Sequence, residues 1–263
     1  VILAQITDTH VLAPGETQYL DNNQLLTEAI RSLNDEDPGP DAVLGTGDLT
    51  NWARPDQYEQ LAALIEPLAA PFLPLVGNHD DRDLMRRTFP HVPWADTEHA
   101  SWVTTVGDVT VVGLDSSDPG HHGAAFDDDR ATWLDSTLAS SGEQPVVLAL
   151  HHPPFITGIA WMDAFGFRNL DRLQGLIGDH AGRIARIVSG HIHRQVVTTV
   201  AGVTASICPA TVHHVALDLT PASTPSIICD PRGYQLHLVD GGDVVTHTRY
   251  IDTGQDPFDP GWR

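Results

Sequence analysis

The chain reads as an α/β protein in which two mixed sheets pack face to face with helices on the outside. Three observations predict this. Apolar, β-branched runs alternate with helical periodicity as far as residue 193. The character then changes to consecutive strands. The run Val146-Val147-Leu148-Ala149-Leu150 is apolar without interruption, as in a strand buried on both faces.

Taken in order, Val1-Ile2-Leu3-Ala4-Gln5-Ile6 gives a strand over 1–7. The spacing of Leu25, Leu26, Ala29, Ile30 and Leu33 predicts a helix over 23–34. Pro38-Gly39-Pro40 breaks the chain before the strand Ala42-Val43-Leu44, and Pro55 suits the first turn of a helix over 55–66. Residues 72–76 form the next strand. Gly107-Asp108 is a two-residue turn between strands at 102–106 and 109–112. Helices at 129–140 and 169–181 alternate with strands at 146–150 and 184–188. Strands at 195–200, 203–208, 234–239 and 243–250 follow, the last two joined by Gly241-Gly242. The stretch 220–226 and the tail 252–263 read as loop or loosely ordered terminus. No segment has linker composition, so a single domain over 1–263 is expected, with its β-rich part at about 195–251.

The 35 acidic residues outnumber 14 basic ones, all of them arginine, and the net charge is −21. A nucleic-acid polymer needs clustered Lys and Arg, so that class of partner is disfavoured. An anionic ligand then needs a local source of positive charge, and bound metal supplies one. No apolar stretch reaches the ~18 residues of a membrane span. The apolar start is short, lacks a basic flank and runs into Asp8, so it reads as a buried strand rather than a leader. Cys208 and Cys229 are too few for a disulfide scaffold and lack CxxC spacing; free thiols and a cytoplasmic location are the expectation.

Five strand-like runs end in metal-binding side chains: Asp8-Thr9-His10, Gly47-Asp48, Gly77-Asn78-His79-Asp80, His151-His152 and Gly190-His191-Ile192-His193. Residues two apart in extended chain share a side, so Asp8 faces with His10, and His191 with His193. Open α/β sheets place their ligands just past strand ends. Gly47 and Gly77 let the backbone turn sharply before Asp48 and Asn78. Asp48, the only Asp of its segment, is the natural bridging carboxylate, and Asn78 offers an amide oxygen. His151 continues the face of Val147 and Ala149, and His152 that of Leu148 and Leu150; periodicity does not choose between them. Each motif alone is ordinary turn chemistry, whereas the ordered set argues for two metal ions. With imidazole, carboxylate and amide donors and no thiolate, the set suits Mn²⁺, Fe²⁺/Fe³⁺, Zn²⁺ or Co²⁺. His121 and His122, in the loop Asp118-Pro119-Gly120-His121-His122-Gly123, are candidates for substrate binding. His213 and His214 are within reach of the site by the same reasoning, and Asp80 reads as the cap of a helix containing Asp83-Leu84-Met85.

This set, DxH, GD, GNHD, HH and GHxH, resembles the calcineurin-like metallophosphoesterases. Within them it is most similar to bacterial class III cyclic-nucleotide phosphodiesterases and to glycerophosphodiesterases, a likeness that extends to Ala149-Leu150-His151-His152-Pro153-Pro154. The resemblance implies a four-layer αββα sandwich with a binuclear centre. One metal would be held by Asp8, His10 and His193, the other by Asn78, His151 and His191, with Asp48 bridging. It further implies that His79 is a non-ligand that contacts phosphate or protonates the leaving oxygen, with Asn78 also touching substrate. A metal-bridging hydroxide would attack a small anionic phosphodiester in line. Cyclic nucleotides are the expected substrates, glycerophosphodiesters the alternative, a non-enzymatic scaffold a remote third, and a homodimer or higher homo-oligomer the expected assembly. Asn51 stands where purple acid phosphatases carry a tyrosine ligand, and Asp80 where Ser/Thr phosphatases carry Glu, so neither subfamily fits.

Overall fold

The structure is a computed structural model that describes residues 1–251; the expectation for the tail 252–263 lies outside the described residues. One sheet has five strands in the order β15-β14-β1-β2-β3: β1 (Ile2–Ile6), β2 (Ala42–Gly45), β3 (Phe72–Pro74), β14 (Gly233–Asp240) and β15 (Asp243–Tyr250). The other has six in the order β10-β11-β9-β7-β5-β4: β4 (Trp102–Val106), β5 (Val109–Leu114), β7 (Val146–Leu150), β9 (Ile184–Ser189), β10 (Val196–Val200) and β11 (Val203–Ile207). Two short pairs, β6 (Ala124–Ala125) with β8 (Phe167–Arg168) and β12 (His214–Val215) with β13 (Ile227–Ile228), lie outside these sheets.

Helices α1 (Asn22–Asn34), α2 (Pro55–Ile65) and α3 (Arg82–Thr88) share a core with the first sheet, through residues such as Leu26, Ile30, Leu61 and Met85. Helices α4 (Asp128–Ser140) and α6 (Leu170–Asp179) cover the second sheet; α5 (Ala160–Asp163) is a single turn. Strand β7 shows how four layers arise. Val147 and Ala149 belong to the core shared with the first sheet, whereas Val146, Leu148 and Leu150 pack with Leu134 and Leu138 of α4 and Leu173 of α6. Its uninterrupted apolar sequence is therefore explained by burial on both sides.

Parallel pairing dominates the middle of each sheet: β1 with β2, β2 with β3, β5 with β7 and β7 with β9. Their carboxyl ends consequently lie at one edge, which gathers the five motifs. The strands of the β-rich part divide between the sheets. β14 pairs antiparallel with β1, while β11 joins β9 in parallel.

Candidate metal centre

Past the strand ends the chain makes sharp left-handed turns at the polar residues themselves. Asp8 (φ 52°), His10 (44°), Asp48 (51°), His191 (71°) and His193 (56°) are five of the eight non-glycine residues with positive φ among those described. Such conformations cost of order 1–3 kcal/mol each and persist only where surroundings impose them. Here the turns run as a pair: the Asp8 N–H donates to the Gly47 carbonyl and the His10 N–H to the Asp48 carbonyl, both at 3.0 Å.

The motif glycines are required mainly for space. A Cβ on Gly77 would lie 2.2 Å from Asp48 Oδ1, one on Gly190 would lie 2.0 Å from Thr7 Oγ1, and one on Gly47 would lie 2.6 Å from His151 Nδ1. Gly47 also has φ +88°, as expected of a turn; Gly77 has no such angle, so its absent side chain serves close approach rather than turning.

Hydrogen bonds fix how three imidazoles present themselves. His151 Nδ1 lies 2.8 Å from the Thr46 carbonyl and His193 Nδ1 lies 2.9 Å from the His213 carbonyl. His10 Nδ1 lies 3.1 Å from Asn51 Oδ1. Oxygens of this kind only accept, so each Nδ1 carries a proton and each Nε2 is turned toward the cluster. His10 Nε2 and His193 Nε2 face one another at 3.2 Å. His151 Nε2 faces Asp48 Oδ2 at 3.3 Å and Asn78 Oδ1 at 3.2 Å, and His193 Nε2 is 3.3 Å from Asp8 Oδ1. Electron-rich atoms converging in a buried space repel unless a cation lies among them.

The protonation pattern agrees. Burial holds His10 and His191 well below the ordinary imidazole range and brings His193 down to about 4, so all three are neutral ligands near neutral pH. For His151, burial is outweighed by the adjacent Asp48, and its pKa rises to about 9; burial raises Asp8 to about 7. Four overlapping sets of ligating atoms lie within 4.8 Å of one another: Asp8, His10 and His193; Asp8, Asp48 and His151; His10, Asp48 and His79; and His151, His152 and His191. The residues fit two ions better than one, because Asp48 belongs to sets on both sides.

The adjacent histidine, His152, is otherwise engaged. Its Nδ1 lies 2.9 Å from Ser116 Oγ and its Nε2 3.3 Å from the His122 carbonyl. His79 donates its backbone N–H to Asp48 Oδ1 at 2.8 Å and its Nδ1–H to the Asn51 carbonyl at 2.9 Å. Its Nε2 has no hydrogen-bond partner among the described residues. Asp80 requires a correction: it does not cap α3. Asp81 does, accepting from the Leu84 N–H at 2.8 Å. Asp80 instead accepts from the backbone N–H groups of Leu49, Thr50 and Gly77, tying the Gly-Asp loop to the Gly-Asn-His-Asp loop.

A cavity of about 240 Å³ opens over the cluster. Asp48, Asn78, His79, His10, His191 and His193 form its floor. His122 lines it, with Asn78 Nδ2 donating to its Nδ1 at 3.2 Å, while His121 is exposed and not among the lining residues. Of the later pair, His213 reaches the cavity and His214 is buried beside it in β12. The walls are residues that sequence reasoning did not single out as lining: Gln18, Tyr19, Trp52, Trp161, Phe165 and Ile227 among them. Apart from Gln18 they are large aromatic or aliphatic residues outside any segment with core periodicity in the sequence. A larger depression of about 780 Å³, which includes Gly142, Asp179, Gly182 and Gly242, contains none of the four ligand sets.

The buried Asp/His cluster at the strand ends of a four-layer sandwich is a group of side chains that could hold metal. The chain belongs to the calcineurin-like phosphoesterase family, whose model matches residues 2–195, and it is a metal-dependent phosphodiester hydrolase. It is 30% identical over 263 residues to a probable glycerophosphodiester phosphodiesterase of Arcobacter nitrofigilis, covering 98% of this chain and 96% of that protein. It is 34% identical over 217 residues to a probable cyclic nucleotide phosphodiesterase of Rhodococcus erythropolis, covering 80% and 70%. Among solved structures, a dimetal phosphatase from Danio rerio superposes with a TM-score of 0.69 at 13% identity, over 95% and 96% of the two chains.

Proposed function

We propose that the chain hydrolyses small phosphodiesters, with 3',5'-cyclic nucleotides preferred, at a two-metal centre held by seven side chains. Asp8, His10 and His193 hold one ion; Asn78, His151 and His191 hold the other; Asp48 is shared. The observation that supports this reading is the convergence of imidazole Nε2 atoms on Asp8 and Asp48, with every Nδ1 in His10, His151 and His193 tied to an oxygen. When bound, two metal ions supply Lewis acidity and a water-derived nucleophile at neutral pH.

The chain's own residues do the rest. Asn51 holds the His79 ring by its carbonyl, so in the cationic form His79 presents its Nε2–H to a departing alkoxide as general acid. Asn78 and His122, joined at the cavity edge, are placed to meet a phosphate oxygen. The low cavity volume selects small diesters, and its aromatic walls favour one carrying a base over a glycerol diester. The donor set suits Mn, Fe, Co or Zn.

A second reading, glycerophosphodiester hydrolysis, draws on the Arcobacter nitrofigilis relative, which matches 98% of this chain. The test is kcat/KM of protein reconstituted with each metal, on cyclic AMP, cyclic GMP and glycerophosphoethanolamine. Cyclic nucleotides should lead by about tenfold or more. The reverse order makes the protein a glycerophosphodiesterase, and activity independent of added metal overturns the two-metal reading.

A further inference from the structure

The wall of the cavity beside His79 carries an aromatic surface on an unusually fixed loop. Trp52 follows Asp48 by four residues, and its indole lies 6.3 Å from the His79 ring. Its backbone N–H donates at 2.8 Å to Oε1 of Gln57, a fully buried residue, and the next residue, Ala53, is held at φ 51°. Yet 57% of Trp52 is exposed. Tyr19, 67% exposed, arrives from a separate loop and lies 6.2 Å from the His213 ring. Both loops meet at Asn51, whose Nδ2 donates to Oε1 of Gln18 at 3.1 Å. Two large rings therefore stand over the histidine floor on backbone that is already ordered, where binding costs little conformational entropy.

From this we infer that Trp52, with Tyr19 beside it, is the specificity-determining surface that stacks on the base of a cyclic nucleotide. The inference rests on the cyclic-nucleotide reading above. A 3',5'-cyclic phosphate is fused to its ribose, so the base stands at a short, nearly fixed distance from phosphorus. A ring that holds it must sit at the rim of the metal site, where Trp52 sits. A glycerol diester has nothing planar to offer there. Stacking also explains why these rings stay at the rim instead of joining the core, where Trp102 is fully buried.

The test compares wild type, Trp52→Ala and Trp52→Phe, metal-loaded, on cyclic AMP and on glycerophosphoethanolamine. In Trp52→Ala the ratio of kcat/KM for cyclic AMP to that for the base-free diester should fall about tenfold or more, mainly through a higher KM for cyclic AMP. Trp52→Phe, which keeps a ring, should recover most of the ratio. A wild type active on cyclic AMP whose ratio is unchanged in Trp52→Ala overturns the stacking role and leaves the substrate reading standing. A wild type active only on the base-free diester overturns both, and is recognised before any variant is made.

Discussion

Gly77→Ala asks the most of the geometry, because the clash falls on Asp48, the residue proposed to be shared by both ions. The new Cβ would meet Asp48 Oδ1 at 2.2 Å, Asp48 N at 2.3 Å and Asp48 Cγ at 2.9 Å. Since ordinary contact begins near ~3.5 Å, Asp48 or the Gly77 backbone has to retreat by about 1 Å. One of the atoms struck is backbone, so rotating the carboxylate does not relieve the contact. Overpacking of this kind costs about 1–3 kcal/mol, or roughly 2–12 °C in Tm for a chain of this size. Metal sites tolerate displacements of only ~0.2 Å, so loss of both ions is expected, with a larger fall in Tm for metal-loaded than for chelated protein. Metal content after dialysis and calorimetry with and without chelator measure the two effects. Gly175→Ala, in α6 with nothing within 4 Å of the added Cβ, is the control and should stabilise by about 0.5–1 kcal/mol. A Gly77→Ala protein that keeps two ions and wild-type kcat/KM would refute the argument that Asp48 is placed by the missing side chain.

Two further outcomes are expected. His79→Ala should keep its metal content and lose about 10²-fold or more in turnover of diesters with poor leaving groups, with a smaller loss on bis-p-nitrophenyl phosphate; equal losses on both would remove the general-acid role. Away from the site, burial, reinforced by Arg186, brings the His237 imidazole down to about 3. As pH falls from about 7 to 5.5 the unfolded chain gains this proton and the folded one does not, so about 1 kcal/mol of stability is lost through His237. In His237→Gln that component disappears, and urea unfolding of chelated protein should show a shallower loss; parallel losses in the two proteins would show that His237 protonates in the fold.

Much of the fold was legible because its elements obey period and punctuation. The helical spacing of Leu26, Ile30 and Leu33 became α1, and Gly107-Asp108 became the turn between β4 and β5. What periodicity cannot carry is the choice of sheet edge. The pairing of Ile2 with Leu238 joins opposite ends of the chain, and nothing in either strand's alternation names the other. The short pairs β6–β8 and β12–β13 were missed for a related reason, since two-residue strands exist only through tertiary contact. The Asp80 cap failed because Asp81 stands beside it, and local sequence does not say which carboxylate faces the helix and which the neighbouring loop.

At the site, the clustering residue types stood out because His, Asp and Asn are all metal-binding side chains. Their aim did not. His151, His193 and His79 are oriented by the carbonyls of Thr46, His213 and Asn51, and a backbone carbonyl leaves no mark in sequence. Periodicity left His151 and His152 equivalent, and only the family resemblance chose His151; in the fold Val147 and Ala149 face the first sheet and His151 lies beside Asp48. The cavity's charge completes the reasoning. None of its lining residues is arginine, in a chain of net charge −21, so on the proposed reading the attraction of an anionic diester falls to bound metal. On the same reading, substrate identity is left to side chains that carry no charge, Trp52 and Tyr19 foremost. Because charge and shape are read by different residues, a substitution at the rim should move selectivity while the hydrolytic centre stays assembled, and one beneath it, such as Gly77→Ala, should dismantle the centre for every substrate alike.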